Sequence, residues 1–136
     1  KKMYKELLEN NFWCINAEKA EDIYEYLKDN LAVRFSKINS PIPNFEVKFP
    51  KTTYNQYALD NKVKVILNKQ EINISEIELQ IAFKLKLGSE KDFEDARHLY
   101  NVFKDKLDII LLKKQVSALG VEKQAQMILW RKKDSF

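Results

Sequence analysis

The sequence predicts an α+β fold: a small mixed, mostly antiparallel sheet covered by helices, with further helices at the C-terminal end. Three observations carry this. Apolar and polar residues alternate in NFEVKF (44–49) and KVKVIL (62–67), the period-two signature of half-buried strands. From Ile74 onward the apolar residues recur every three to four positions, in runs punctuated by Gly88 and Gly120. The chain has 136 residues, 45% of them apolar, with two glycines and three prolines, enough for a real core and too little Gly and Pro for long linkers. The expected division is a sheet part over 1–74 and a helical part over 75–136 packed on it.

In chain order, Met3, Tyr4, Leu7 and Leu8 fall at helical spacing and predict a short amphipathic helix ending at Asn10-Asn11. Phe12 to Ile15 reads as a short strand. Asn16 is expected to cap a second helix with Ala20, Ile23, Tyr24 and Leu27 as its buried stripe, stopped at Asp29-Asn30. Leu31 to Ser36 reads as a strand with Leu31, Val33 and Phe35 on one face. Pro41 and Pro43 mark 39–43 as a stiff turn. Phe45, Val47 and Phe49 share one face of the next strand, with Glu46 and Lys48 on the other. Thr53 to Leu59 fits a strand or a short helix. After the turn at Asp60-Asn61, Lys62 to Leu67 forms a strand, and Asn68-Lys69 turns it into Glu71 to Ile74. The middle of the chain is thus expected to form one sheet of four or five strands.

Two helix starts and one stop organise the second half. Ser75 with Glu78 reads as a capping box, and Ser89 with Asp92 repeats it with the shorter acid; Gly88 between them suits a left-handed helix end. The result is a helical hairpin: Ser75 to Leu87, apolar nearly all round, then about Glu90 to Lys104 with Phe93, Ala96, Leu99, Tyr100 and Phe103 as its core face. Helices at Lys106 to Leu119 and Val121 to Trp130 follow, the latter with Val121, Ala125, Ile128 and Leu129 inside. The tail RKKDSF is basic and reads as frayed.

Composition narrows the chemistry. One cysteine, Cys14, and one histidine, His98, exclude a disulfide framework and a Cys/His zinc site, and nothing near His98 looks like a nucleophile elbow. No apolar run reaches membrane-spanning length and no signal peptide is visible, so a soluble cytoplasmic protein without a membrane partner is expected. A net charge of +4, spread rather than clustered, permits nucleic-acid contact without indicating it. Because the chain begins on Lys1 rather than Met, a native sequence upstream of it stays open.

The charged residues of the hairpin joint admit two readings each. Lys84 is either a lysine whose stem packs on the core or an ammonium held ready for phosphate or carboxylate. Asp92 and Asp95, three apart, are either an acidic first turn favoured by the helix dipole or oxygen ligands for Mg²⁺, with Lys91 placed to pair with Asp95. Glu46 is either a cross-strand partner for a basic residue or a catalytic carboxylate. His98, four after Glu94, reads as a surface ion pair or a packed aromatic.

ISEIELQIAFKLKLGSEKDFEDARHLY (74–100) resembles the C-terminal signature of small bacterial and archaeal proteins of the nucleotidyltransferase superfamily, relatives of the nucleotidyltransferase-type toxins of abortive-infection systems among them. The resemblance spans about Phe45 to Gly120. It implies a nucleotidyltransferase-like fold and Mg²⁺-dependent transfer of a nucleotide from an NTP to an RNA, protein or small-molecule acceptor, a homodimer being open. It also implies roles: Glu46 as the third metal-holding carboxylate, Asp92 and Asp95 as catalytic acids, Lys84 and Lys91 as nucleotide-binding lysines. The superfamily's Gly-Ser turn and following Asp-x-Asp pair are missing, since no Gly-Ser precedes Gly88 and no Asp-x-Asp occurs at all. The alternative is therefore an inactive relative serving as a binding or regulatory module, as in a toxin–antitoxin pair.

Overall fold

Alternating apolar residues did produce strands, but in two separate antiparallel sheets rather than one. The computed structural model describes residues 1–130, and the tail 131–136, read above as frayed, lies outside the described residues. The chain divides into two compact units, Lys1–Gln56 and Tyr57–Phe136. The first holds a three-stranded sheet and the second a two-stranded one. Both units combine antiparallel strands with helices, as an α+β fold requires.

In the first unit, α1 (Lys2–Glu9), β1 (Phe12–Cys14), α2 (Ala20–Lys28), β2 (Val33–Lys37) and β3 (Ser40–Val47) follow one another. β2 is the central strand, pairing β1 through Cys14 opposite Phe35 and β3 through Phe35 opposite Phe45. Val33 and Phe35 are fully buried with Cys14, Ala17, Ile23 and Leu27, and Tyr4, Leu7 and Val47 pack on that core. Asn11, Asn30 and Asn39 end their elements with φ near +60°, a conformation in which asparagine is more at ease than most side chains.

Five local expectations need correction here. Leu31 precedes β2 and is exposed, and Tyr24 is exposed on α2. Asn16 caps nothing: α2 starts at Ala20, and the Asn16 side chain instead accepts from Arg34 N–H (2.8 Å) and donates to the Ala32 carbonyl (3.0 Å). Its amide thus extends the β1–β2 pairing by side chain where β1 ends. Segment 39–43 is not wholly a turn, because β3 starts at Ser40 and runs through both prolines. Pro41, Ile42 and Pro43 loop out of the ladder with β2 in this edge strand, so the two missing N–H donors cost no ladder bond. Phe49 falls beyond the strand.

α3 (Thr53–Asp60) resolves the ambiguous segment as a helix. Thr52 and Asn55 cap it reciprocally: the Thr52 hydroxyl accepts from Asn55 N–H (3.1 Å), and the Asn55 side-chain Oδ1 accepts from Thr52 N–H (3.3 Å).

In the second unit, β4 (Val63–Leu67) and β5 (Gln70–Ile74) form a hairpin whose two turn residues, Asn68 and Lys69, both have positive φ (50° and 65°). That matches the strand twist in a two-residue turn. Then come α4 (Ile77–Leu87), α5 (Glu90–Phe103), α6 (Ile109–Leu119) and α7 (Glu122–Ile128). α4 is apolar nearly all round because it packs against α5, α6 and α7. Ile81, Ala82 and Leu85 meet Ala96, Leu112, Val116, Val121 and Ala125, all at most 1% exposed, in the core of this unit.

Candidate functional site

The α4–α5 joint forms where local signals agree. Gly88 closes α4 at φ 78°, its N–H bonding to the Lys84 carbonyl at 3.2 Å. Ser89 opens α5, its hydroxyl accepting from Asp92 N–H at 3.1 Å. The reciprocal half differs from a capping box. The Asp92 carboxylate accepts from the Ser89 hydroxyl (2.6 Å), since the shorter acid turns to the side chain instead of the backbone.

Lys84 lies at the centre of this joint. Its ammonium is 2.9 Å from Asp92 Oδ1 and 2.9 Å from Asp95 Oδ2, joining the last turn of α4 to the first turns of α5. Asp92 is the most sheltered of the three, its side chain 16% exposed against 32% for Lys84 and 40% for Asp95. The Ser89 hydroxyl, and then Lys84, hold the Asp92 carboxyl below the usual carboxylate range. The bonds to Asp92 and Asp95 raise the Lys84 ammonium above its ordinary value. One cation and two anions leave the triad with a formal charge of −1. Phosphate would meet an ammonium already bonded to two carboxylates.

These residues do not fit Mg²⁺ as they stand. An ion bridging Asp92 and Asp95 must displace the ammonium from between them, and it must compete with the Ser89 hydroxyl for the second Asp92 oxygen. Among the described residues, no group of three or more His, Cys, Asp or Glu side chains could hold a metal ion.

The other expected site residues lie apart from this triad. Lys91 forms no salt bridge among the described residues, because Asp95 turns to Lys84 on the neighbouring helix instead of to its own i−4 partner. His98 is exposed and likewise forms no ion pair among the described residues. Glu46 belongs to the first unit, on β3 opposite Arg34, with Arg34 Nη2 and Lys48 Nζ each 3.5 Å from one of its oxygens. That is the cross-strand pairing its position suggests.

Two polar linkages escaped the sequence reading. Ser75 and Glu78 form no capping box, because α4 starts two residues later, with Glu76 at its N-cap. Glu78 instead accepts from the backbone N–H of Asp108 (2.8 Å), the residue that caps α6 through Leu111 N–H (3.0 Å). The buried Gln115 donates to the Tyr57 hydroxyl (2.8 Å), which donates to Glu76 (3.4 Å). The signal for Glu78 was an acid near a helix start, but which helix it serves is a tertiary matter. No helix among the described residues is long and apolar enough to cross a membrane. No protein-family model, curated protein or solved structure matches the chain.

Proposed function

We propose that this chain is a nucleotidyltransferase-like protein acting as a binding or regulatory module, without holding catalytic metals at its α4–α5 joint. The observation that carries this reading is the Lys84 ammonium, 2.9 Å from both Asp92 and Asp95. Each acid that the family resemblance would recruit already has a basic partner within the chain, and each has at least one pairing that joins two secondary-structure elements. Lys84 ties α4 to α5, and Glu46 ties β3 to β2 through Arg34. Carboxylates of this kind are spent on contacts inside the fold, and a metal or phosphate must displace a bonded partner to reach the joint.

Calorimetric titration of Mg·ATP into the full chain tests this reading, alongside Lys84→Ala and Asp92→Ala. The expected outcome is no Mg²⁺-dependent ATP uptake by any of the three, with lowered unfolding midpoints for both variants. Saturable Mg·ATP binding that disappears in Asp92→Ala, with the fold intact, would overturn the reading and favour nucleotide transfer.

A further inference from the structure

The β2–β3 pairing contains an irregularity with a cavity beside it. Ser36 pairs with Asn44, but the next residue, Lys37, pairs with Ser40, so Pro41, Ile42 and Pro43 are looped out of the ladder. Two side chains brace the loop: Ser40 donates to the Ile42 carbonyl (3.1 Å), and Asn44 donates to the Pro41 carbonyl (3.1 Å). With φ fixed at both prolines, the loop is stiff. Bulges recur beside binding sites because they re-aim the residues next to them.

A groove of about 470 Å³ lies here, lined by Phe12, Lys37, Ser40, Pro43, Asn44 and Phe45. That is within the size range of small-molecule sites. Its aromatic wall is fixed: Phe45 stacks on the fully buried Phe35 at 5.6 Å and meets Phe12 edge-on at 5.8 Å. Phe45 nevertheless remains 42% exposed. Ser40 and Asn44 already spend hydrogen bonds on the loop. Lys37 forms no salt bridge among the described residues, unlike Arg34 and Lys48, which pair with Glu46.

We propose that this groove binds a planar aromatic ligand bearing one anionic group, with its ring against Phe45 and Pro43 and its anion toward Lys37. The apolar wall accounts for the ring, and Lys37, a lining cation without a salt bridge among the described residues, accounts for the charge. An aromatic carboxylate and a nucleoside monophosphate both meet this description. The inference names a ligand for the binding module proposed above and rests on that reading, but it concerns a different set of residues, so each can fail alone.

Amide chemical shifts of the full chain, followed by ¹⁵N NMR, test it with three probes: 2-naphthoate, AMP and the neutral 2-naphthalenemethanol. Saturable shifts at Phe12, Lys37, Asn44 and Phe45 are expected from at least one anionic probe, and the tighter of the two assigns the source of the anion. Because Lys37 is solvent-exposed, 2-naphthoate should bind about three- to fivefold more tightly than the alcohol. Lys37→Gln should abolish that preference while leaving the spectrum otherwise native. The proposal is overturned if neither anion shifts these residues, if the alcohol and the naphthoate bind equally to the unmodified chain, or if Lys37→Gln keeps the preference. Mg·ATP uptake at Asp92 would instead count against the module reading alone.

Discussion

Lys84 and Lys37 show two different uses of the same side chain. Lys84 sits at a helix joint with two carboxylates at 2.9 Å, and its charge is committed to holding α4 and α5 together. Lys37 lines a groove beside exposed aromatic surface and has no salt bridge among the described residues. A charged residue in a recognisable motif can therefore be architecture, while one in an unremarkable strand remains free to meet a ligand. What separates them is whether a partner within the chain has already neutralised the charge.

The contrast predicts a graded set of stability effects, measured as urea-unfolding free energies. Packing beneath the Lys84 joint should matter most: Leu85 is fully buried, so Leu85→Ala should cost about 2–5 kcal/mol. Ser89→Ala removes both the α5 cap and the hydroxyl bonded to Asp92, and about 1 kcal/mol is expected. Lys84→Met keeps the stem and loses the ammonium. Since that ammonium still meets solvent, screening limits the expected loss to about 0.5–1 kcal/mol. Lys37→Gln should stay within about 0.5 kcal/mol of the parent. If Lys37→Gln destabilises as much as Lys84→Met, the distinction between the two lysines fails.

Proton linkage sharpens the same comparison. Asp92 has a folded pKa below its ordinary 3.8, so its contribution is complete above that value and is lost as pH falls through the lower, folded one. Lys84 has a folded pKa above its ordinary 10.5, so its contribution is complete below 10.5 and is lost as pH rises through the higher value. Stability from this joint should therefore be flat between the two and decline at both extremes. Asp92→Asn should remove its share of the acid-side decline, read as unfolding midpoints from neutral pH downward.

What could be read from the sequence follows how local each signal is. Gly88 and Ser89 announce the α4–α5 joint because a left-handed helix end and an N-cap need only a few neighbouring residues. Asn68-Lys69 announces its hairpin for the same reason. Strand pairing is not local, so two sheets were read as one. Register is not local either: β3 starts at Ser40, but Pro41 to Pro43 loop out of its ladder, so the turn that the prolines suggested lies inside the strand. Ser75 and Glu78 matched a local pattern that tertiary structure overrode, since the Asp108 N–H offered Glu78 a partner thirty residues away. For Lys84, Asp92 and Asp95, the sequence brought the right residues to one joint. It paired Asp95 with Lys91 because same-helix spacing can be counted, whereas the approach of a neighbouring helix cannot.

The central claim is that the charges at the α4–α5 joint serve each other. A double-mutant cycle on Lys84→Met and Asp95→Asn, run in urea with and without Mg²⁺, addresses it most directly. A favourable coupling of about 0.5 kcal/mol, unchanged by Mg²⁺, is the expected result. Independent effects of the two substitutions, or stabilisation of the parent by Mg²⁺ that disappears with Asp95→Asn, would contradict it.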